Sequence, residues 1–135
     1  MSAETNIEIV QEAYAAFFRG DLPAVLDTFA EDIQWISPGS SVLAGEKHGK
    51  EEVAGFFHKL LELWDFLAFE PGEYIASGNR VVALGRYEVR SRQTGRIAAT
   101  HWAMVFTFRD GKVFRFQEYM DTAALEAAMT AAAAA

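Results

Sequence analysis

Apolar positions recur at two different spacings along this chain, and the change from one to the other divides it. From Thr5 onward, Ile7, Val10, Tyr14, Phe17 and Phe18 return at helical intervals until Gly20-Asp21, as on a helix with one buried face. Thr5 followed by Glu8 reads as the capping box of that helix. Leu22 to Ala30, with Pro23 in the first turn, predicts a short second helix presenting Val25, Leu26 and Phe29. Ile33 to Ser37 reads as a strand stopped by Pro38-Gly39, and Ser40 to Gly49 has loop composition. Lys50 to Asp65 carries Val53, Phe56, Phe57, Leu60, Leu61 and Trp64 at helical spacing, a third helix.

Beyond Asp65 the period drops to two. Leu67 to Ala76, Val81 to Arg92, Ile97 to Arg109 and Lys112 to Met120 read as strands, with turns at Thr94-Gly95 and Asp110-Gly111. Asp121-Thr122 then caps an alanine-rich helix from Ala123 to about Met129, and residues 131–135 read as a frayed tail. Helices first and an antiparallel meander after them imply one α+β domain over residues 1–135. Its helices lie on one face of a strongly curved sheet and leave a conical space beneath them.

Composition narrows the function. Hydrophobic types make up 51% of the 135 residues, enough for one real core. Eleven Phe, three Trp and four Tyr exceed what a small core needs and suit aromatic walls around a cavity. A formal net charge of −7 with scattered Lys and Arg argues against nucleic-acid and membrane-surface partners. Without cysteine there is no disulfide and no thiolate chemistry. No leader-like or bilayer-length apolar run is present, so the expectation is a soluble cytoplasmic protein.

The sharpest chemical signal lies in the last strand, where one face reads Phe114, Phe116, Glu118, Met120. A carboxylate among large apolar side chains must be paired, hydrogen-bonded or protonated. Glu118 is thus either a general acid or base in an apolar pocket or a buried structural acceptor. Arg86 and Glu88 share a strand face with Val82 and Leu84. If that face is concave, Arg86 can bridge Glu88 and Glu118; if Gly85, Tyr87 and Val89 are the inner set, Arg86 and Glu88 are solvated. Asp121 is either an N-cap or a strand-end acid. His48, His58 and His101 have no metal-site spacing, and no metal site is expected. Tyr14, Trp35, Phe56, Leu60, Trp102 and Met104 are either pocket walls or plain core.

Three runs carry a resemblance: Phe29-Ala30-Glu31-Asp32 through Trp35 to Ser37-Pro38, the Lys50 to Phe57 helix, and Phe108 to Val113 leading into Glu118 to Thr122. Together they resemble the SnoaL-like branch of the nuclear transport factor two-like superfamily, over essentially the whole chain. The resemblance implies a cone-shaped α+β fold, a homodimer packed through the sheet, and an apolar small-molecule ligand handled without a cofactor. Limonene epoxide hydrolase, one relative, has an Arg-x-Asp pair and a last-strand Asp that fall on Arg86, Glu88 and Glu118. In that relative one carboxylate activates water, the Arg fixes both acids and the second acid protonates the epoxide oxygen. The alignment puts its water-holding Tyr and Asn on Trp35 and Ser37, which would shape a water or ligand oxygen here. It turns Leu84, Thr100, Trp102, Met104, Phe116 and Met120 toward the pocket. Ketosteroid isomerase matches less well, with Ser37 at its base and Met104 near its oxyanion acid. In polyketide cyclases the acid-base aspartate matches Asp121 or Glu118. The expected activity is hydrolysis ahead of isomerisation or cyclisation, and the alternative is a binding or interaction module without turnover.

Overall fold

In a computed structural model, residues 2–130 are described, and the tail expected at 131–135 lies outside them. Helix α1 (Ala3–Phe18) starts two residues before the expected Thr5 cap. Ser2 is the N-cap, and its hydroxyl accepts from the Thr5 amide at 3.0 Å. Helix α2 (Leu22–Asp27) is shorter than expected because the Thr28 hydroxyl closes it on the Val25 carbonyl at 2.7 Å. Phe29 and Ala30 therefore open strand β1 (Phe29–Ser37). Helix α3 (Gly49–Leu63) stops where Trp64 turns extended and begins β3 (Trp64–Ser77).

The sheet has six strands in the order β2-β1-β6-β5-β4-β3, including β4 (Arg80–Ser91), β5 (Ile97–Arg109) and β6 (Lys112–Met120). Two of its pairings differ from a simple meander. Strand β2 (Gly45–His48), inside the expected loop, pairs antiparallel with β1 as a short edge strand of Gly, Glu, Lys and His, a composition that protects an edge from further pairing. Strand β1 also runs parallel to β6, with Trp35 beside Phe116 and Ile36 beside Gln117. The first strand thereby becomes the neighbour of the last, and β6 lies between β1 and β5 in mid-sheet.

Local chemistry fixes the meander. Asp110 and Gly111 both adopt positive φ, 53° and 76°, which a two-residue hairpin loop of the primed type requires. A register shift between Thr107 and Phe108 bends β6 near its start. Val113 turns inward as a result, and Phe114, expected on the inner face, is half-buried under the Arg109 guanidinium at 4.9 Å. From Phe116 on, the alternation runs as expected, with Phe116 and Glu118 buried and Tyr119 exposed. Helix α1 packs on β3 and β4, and α3 packs on β1. A last helix, α4 (Thr122–Met129), lies against β5. The helices and the inner face of the sheet enclose an aromatic core around Trp35, Trp102, Phe106 and Phe116.

Candidate functional site

Between the helices and the sheet is a cavity of about 120 Å³. Its floor comes from inward positions of the sheet, Trp35 and Ser37 on β1, Met104 and Phe106 on β5, and Phe116, Glu118 and Met120 on β6. Tyr14 and Phe17 of α1 and Phe56 and Leu60 of α3 form its walls. Leu125 and Met129 of α4 complete the lining. That helix is held to the segment after β1 by Glu126, whose carboxylate accepts from the Ser40 amide at 3.1 Å and the Ser40 hydroxyl at 3.0 Å.

Among the described residues Glu118 is the one carboxylate lining this space, and it is 8% exposed. Strand register puts it level with Met104 on one side. One step beyond the Ile36–Gln117 pair puts it level with Ser37 on the other. Burial raises its pKa from 4.5 to about 7, and no ion pair or hydrogen bond offsets that cost among the described residues. An apolar setting penalises the charged form, so near neutrality the group can both give and take a proton. The Tyr14 hydroxyl donates to the Met104 sulfur at 3.2 Å, a weak acceptor. The Tyr14 and Tyr87 phenols are both pushed far above their usual range, mainly by burial, with the negative charge of Glu118 adding to the effect.

The structure brings together Tyr14, Trp35, Ser37, Phe56, Leu60, Met104, Phe116, Met120 and Glu118 around the cavity. Arg86 and Glu88 are elsewhere, and their expected place beside Glu118 is corrected. The buried set of β4 is Val81, Ala83, Tyr87 and Val89, so the two-residue period turns Leu84, Arg86 and Glu88 to the outer face. There Arg86 pairs with Glu70 of the neighbouring strand and lies 3.8 Å from Glu88. Leu84 is likewise outside the cavity. Asp121 takes the capping role, accepting from the Ala124 amide at 3.0 Å, and does not line the cavity. Thr100, also expected in the pocket, accepts from the Asp121 amide at 2.9 Å instead. Trp102 is buried on the inner face but stands behind the wall, with its ring 5.9 Å from Tyr14 and 5.2 Å from Phe69.

Among the lining residues that escaped sequence reasoning are Tyr87, Phe69, Leu125 and Met129. For Tyr87 the signal was present, because Gly85, Tyr87 and Val89 form the more apolar set of their strand. Leu125 and Met129 sit in an alanine-rich segment whose composition says little about where it docks.

Residues 10–116 match the family described as the SnoaL-like domain. Proteins from Mycobacterium bovis and Mycobacterium tuberculosis, described as uncharacterized, are 28% identical over 127 residues, covering 93% of this chain and 97% of theirs. The crystal structure of an NTF2-like protein from Burkholderia xenovorans is 37% identical and superposes with a TM-score of 0.89, covering 96% of this chain and 99% of that one. TerC, co-crystallized with polyporic acid, is 30% identical with a TM-score of 0.84, over 93% of this chain and 98% of its own. A six-stranded curved sheet under N-terminal helices and a match across most of the sequence agree: this chain belongs to the SnoaL-like domain family, within the NTF2-like fold.

Proposed function

We propose that the cavity holds a small apolar molecule bearing a reactive oxygen and that Glu118 moves a proton on it as general acid and base. The observation that carries this reading is the isolation of Glu118, a carboxyl on an otherwise apolar and aromatic wall with a pKa raised to about 7. A purely structural carboxylate buried in this way would be expected to have a cation or several amides around it. The co-crystal of TerC with polyporic acid supports a small organic molecule as the occupant.

The position of Arg86 and Glu88 changes the preferred reaction class. Water addition to an epoxide by a carboxylate, arginine and second acid acting together needs all three groups in one pocket, and here only Glu118 lines it. A single carboxyl suits reactions in which one group removes a proton and returns it, such as isomerisation or cyclisation, without a cofactor. Those classes now stand ahead of hydrolysis.

The test is incubation in D₂O with a panel of cyclic epoxides, steroid enones and aromatic polyketide mimics, read by mass spectrometry of the released molecule. Deuterium uptake or an isomerised product is expected, and Glu118→Gln should slow it by roughly a hundredfold or more with the fold retained. Unchanged turnover in that variant would sink the acid-base role. Binding of panel members without any conversion would favour a module that only binds.

We further propose a homodimer formed through the outer face of the sheet. Register aligns Ile75, Val82 and Val105 in one row, and Leu84, Ala103 and Tyr119 in the next. Ile75 and Tyr119 are about half exposed, 48% and 50%, leaving apolar surface that a second copy would cover. Light scattering on the pure chain at micromolar concentration should give twice the 15.0 kDa chain mass. A monomer would remove this proposal.

A further inference from the structure

The cavity has two unlike ends. Where β1 and β6 begin, Val25 and Phe29 close it, and each is only 3% exposed. The flank between α1 and β3 is closed by interlocking rings, Tyr14 with Phe69 at 5.2 Å and Phe17 with Phe66 at 5.4 Å. Where β1 and β6 finish, the lining passes to half-buried side chains, among them Leu43, Leu60, Met120, Leu125 and Met129. Helix α4 lies across that end, held by hydrogen bonds along its length. At its start, the Asp121 amide donates to the Thr100 hydroxyl at 2.9 Å. In its middle, Glu126 accepts from Ser40 in the segment after β1. At its finish, the Thr94 hydroxyl donates to the Ala128 carbonyl, and the Arg96 guanidinium donates to the Thr130 carbonyl at 3.3 Å. Gly39 comes so close to the first turn of α4 that a Cβ there would stand 3.0 Å from Thr122 Cγ2.

The composition of this helix adds a second observation. Apart from Thr122 and Glu126, its residues are alanines and two large apolar ones, Leu125 and Met129. These two stand one turn apart on the same helix face, and both line the cavity. We propose that α4 is the cap that sets how long a ligand the cavity accepts, with Leu125 and Met129 as the specificity-determining residues. Glu118 stands two residues short of the end of β6, which is about 7 Å along a strand. A ligand whose oxygen sits at Glu118 therefore has room for one ring or a short chain before it meets the cap. A longer tail presses on Leu125 and Met129, because the other end is filled by Val25 and Phe29. This rests on the cavity being a ligand site with Glu118 at the ligand's oxygen, as proposed above.

Calorimetric titration with 4-alkylphenols, from methyl to heptyl, reads the limit directly, because the hydroxyl stays the same while the tail lengthens. In the parent, affinity should rise about fourfold with each added methylene and stop rising at the homologue whose tail reaches α4. Leu125→Ala and Met129→Ala each leave space in the cap and should move that break to tails about two carbons longer, with the shorter homologues binding as they do to the parent. Leu125→Phe enlarges the cap and should move the break to shorter tails. Both positions are half-buried, so thermal midpoints close to that of the parent are expected. A break at the same homologue in all four proteins, or affinity that climbs through heptyl in the parent, overturns the cap and leaves the ligand site standing. Failure of every homologue to bind overturns the cap and the ligand-site reading together.

Discussion

Gly85→Ala is expected to destabilise the fold by about 3 kcal/mol, read as a fall in the urea midpoint with an unchanged slope. Gly85 sits mid-strand on β4, paired with Pro71 of β3 and Trp102 of β5. A Cβ there would stand 2.5 Å from the Glu70 carbonyl oxygen, 2.9 Å from the Pro71 Cα and 2.6 Å from the Trp102 ring. Two of those three neighbours are backbone, so a rotamer change cannot relieve the overlap. The sheet itself has to open. Strand β3 is already irregular at this level, its register shifting between Pro71 and Glu73, and bulges of this kind increase local bend. Glycine opposite the bulge lets the edge strand fold closely over β4 and lets the Trp102 ring pack against the Gly85 backbone. The same variant should loosen Trp102 from Tyr14 and Phe69, which its ring contacts. A midpoint shift worth less than about 0.5 kcal/mol would show that the sheet yields there freely.

How far the sequence carries depends on whether the relevant signal is local. Helix α3 and the meander β4 to β6 were legible because their apolar spacing is regular and Asp110-Gly111 dictates its own turn. The parallel contact of β1 with β6 was not, since it joins segments some eighty residues apart and leaves no mark on either. Strand β2 was invisible for the opposite reason: Gly45-Glu46-Lys47-His48 pairs through its backbone while its side chains face solvent. The site shows the same division. Glu118 could be recognised from its own strand, because Phe116 and Met120 flank it on one face. Arg86 and Glu88 were misplaced by a resemblance that set them one residue out of phase with the buried set, and in a strand one residue is the difference between two faces. The strand's own pattern, with Tyr87 among apolar neighbours, pointed the right way. Phe114 was lost to a bulge, an event decided by the partner strand rather than by the sequence around it.

Glu118→Gln is expected to make the protein more stable than its parent above neutral pH, and no more stable in mild acid. The Glu118 carboxyl has an ordinary pKa of 4.5 and a folded value of about 7. Between those values the folded chain keeps a proton that the unfolded chain has already released. Stability of the parent therefore falls as pH rises from 4.5 toward 7 and levels off above that. The gap corresponds to roughly 3 kcal/mol at most, a large share of what a domain this size has. Glutamine resembles the neutral acid in shape and polarity and never carries the charge. Parent and variant should thus unfold at similar denaturant concentrations near pH 4.5 and separate progressively up to pH 8, with the variant ahead. Superimposable profiles across that range would mean that the folded carboxyl titrates normally, and the acid-base role would then lose its physical basis. A widening gap would mean that the fold carries an unfavourable charge at the one position where a bound molecule could use it. A ligand that donates to the ionised carboxylate should then narrow the gap by stabilising the parent more than the variant.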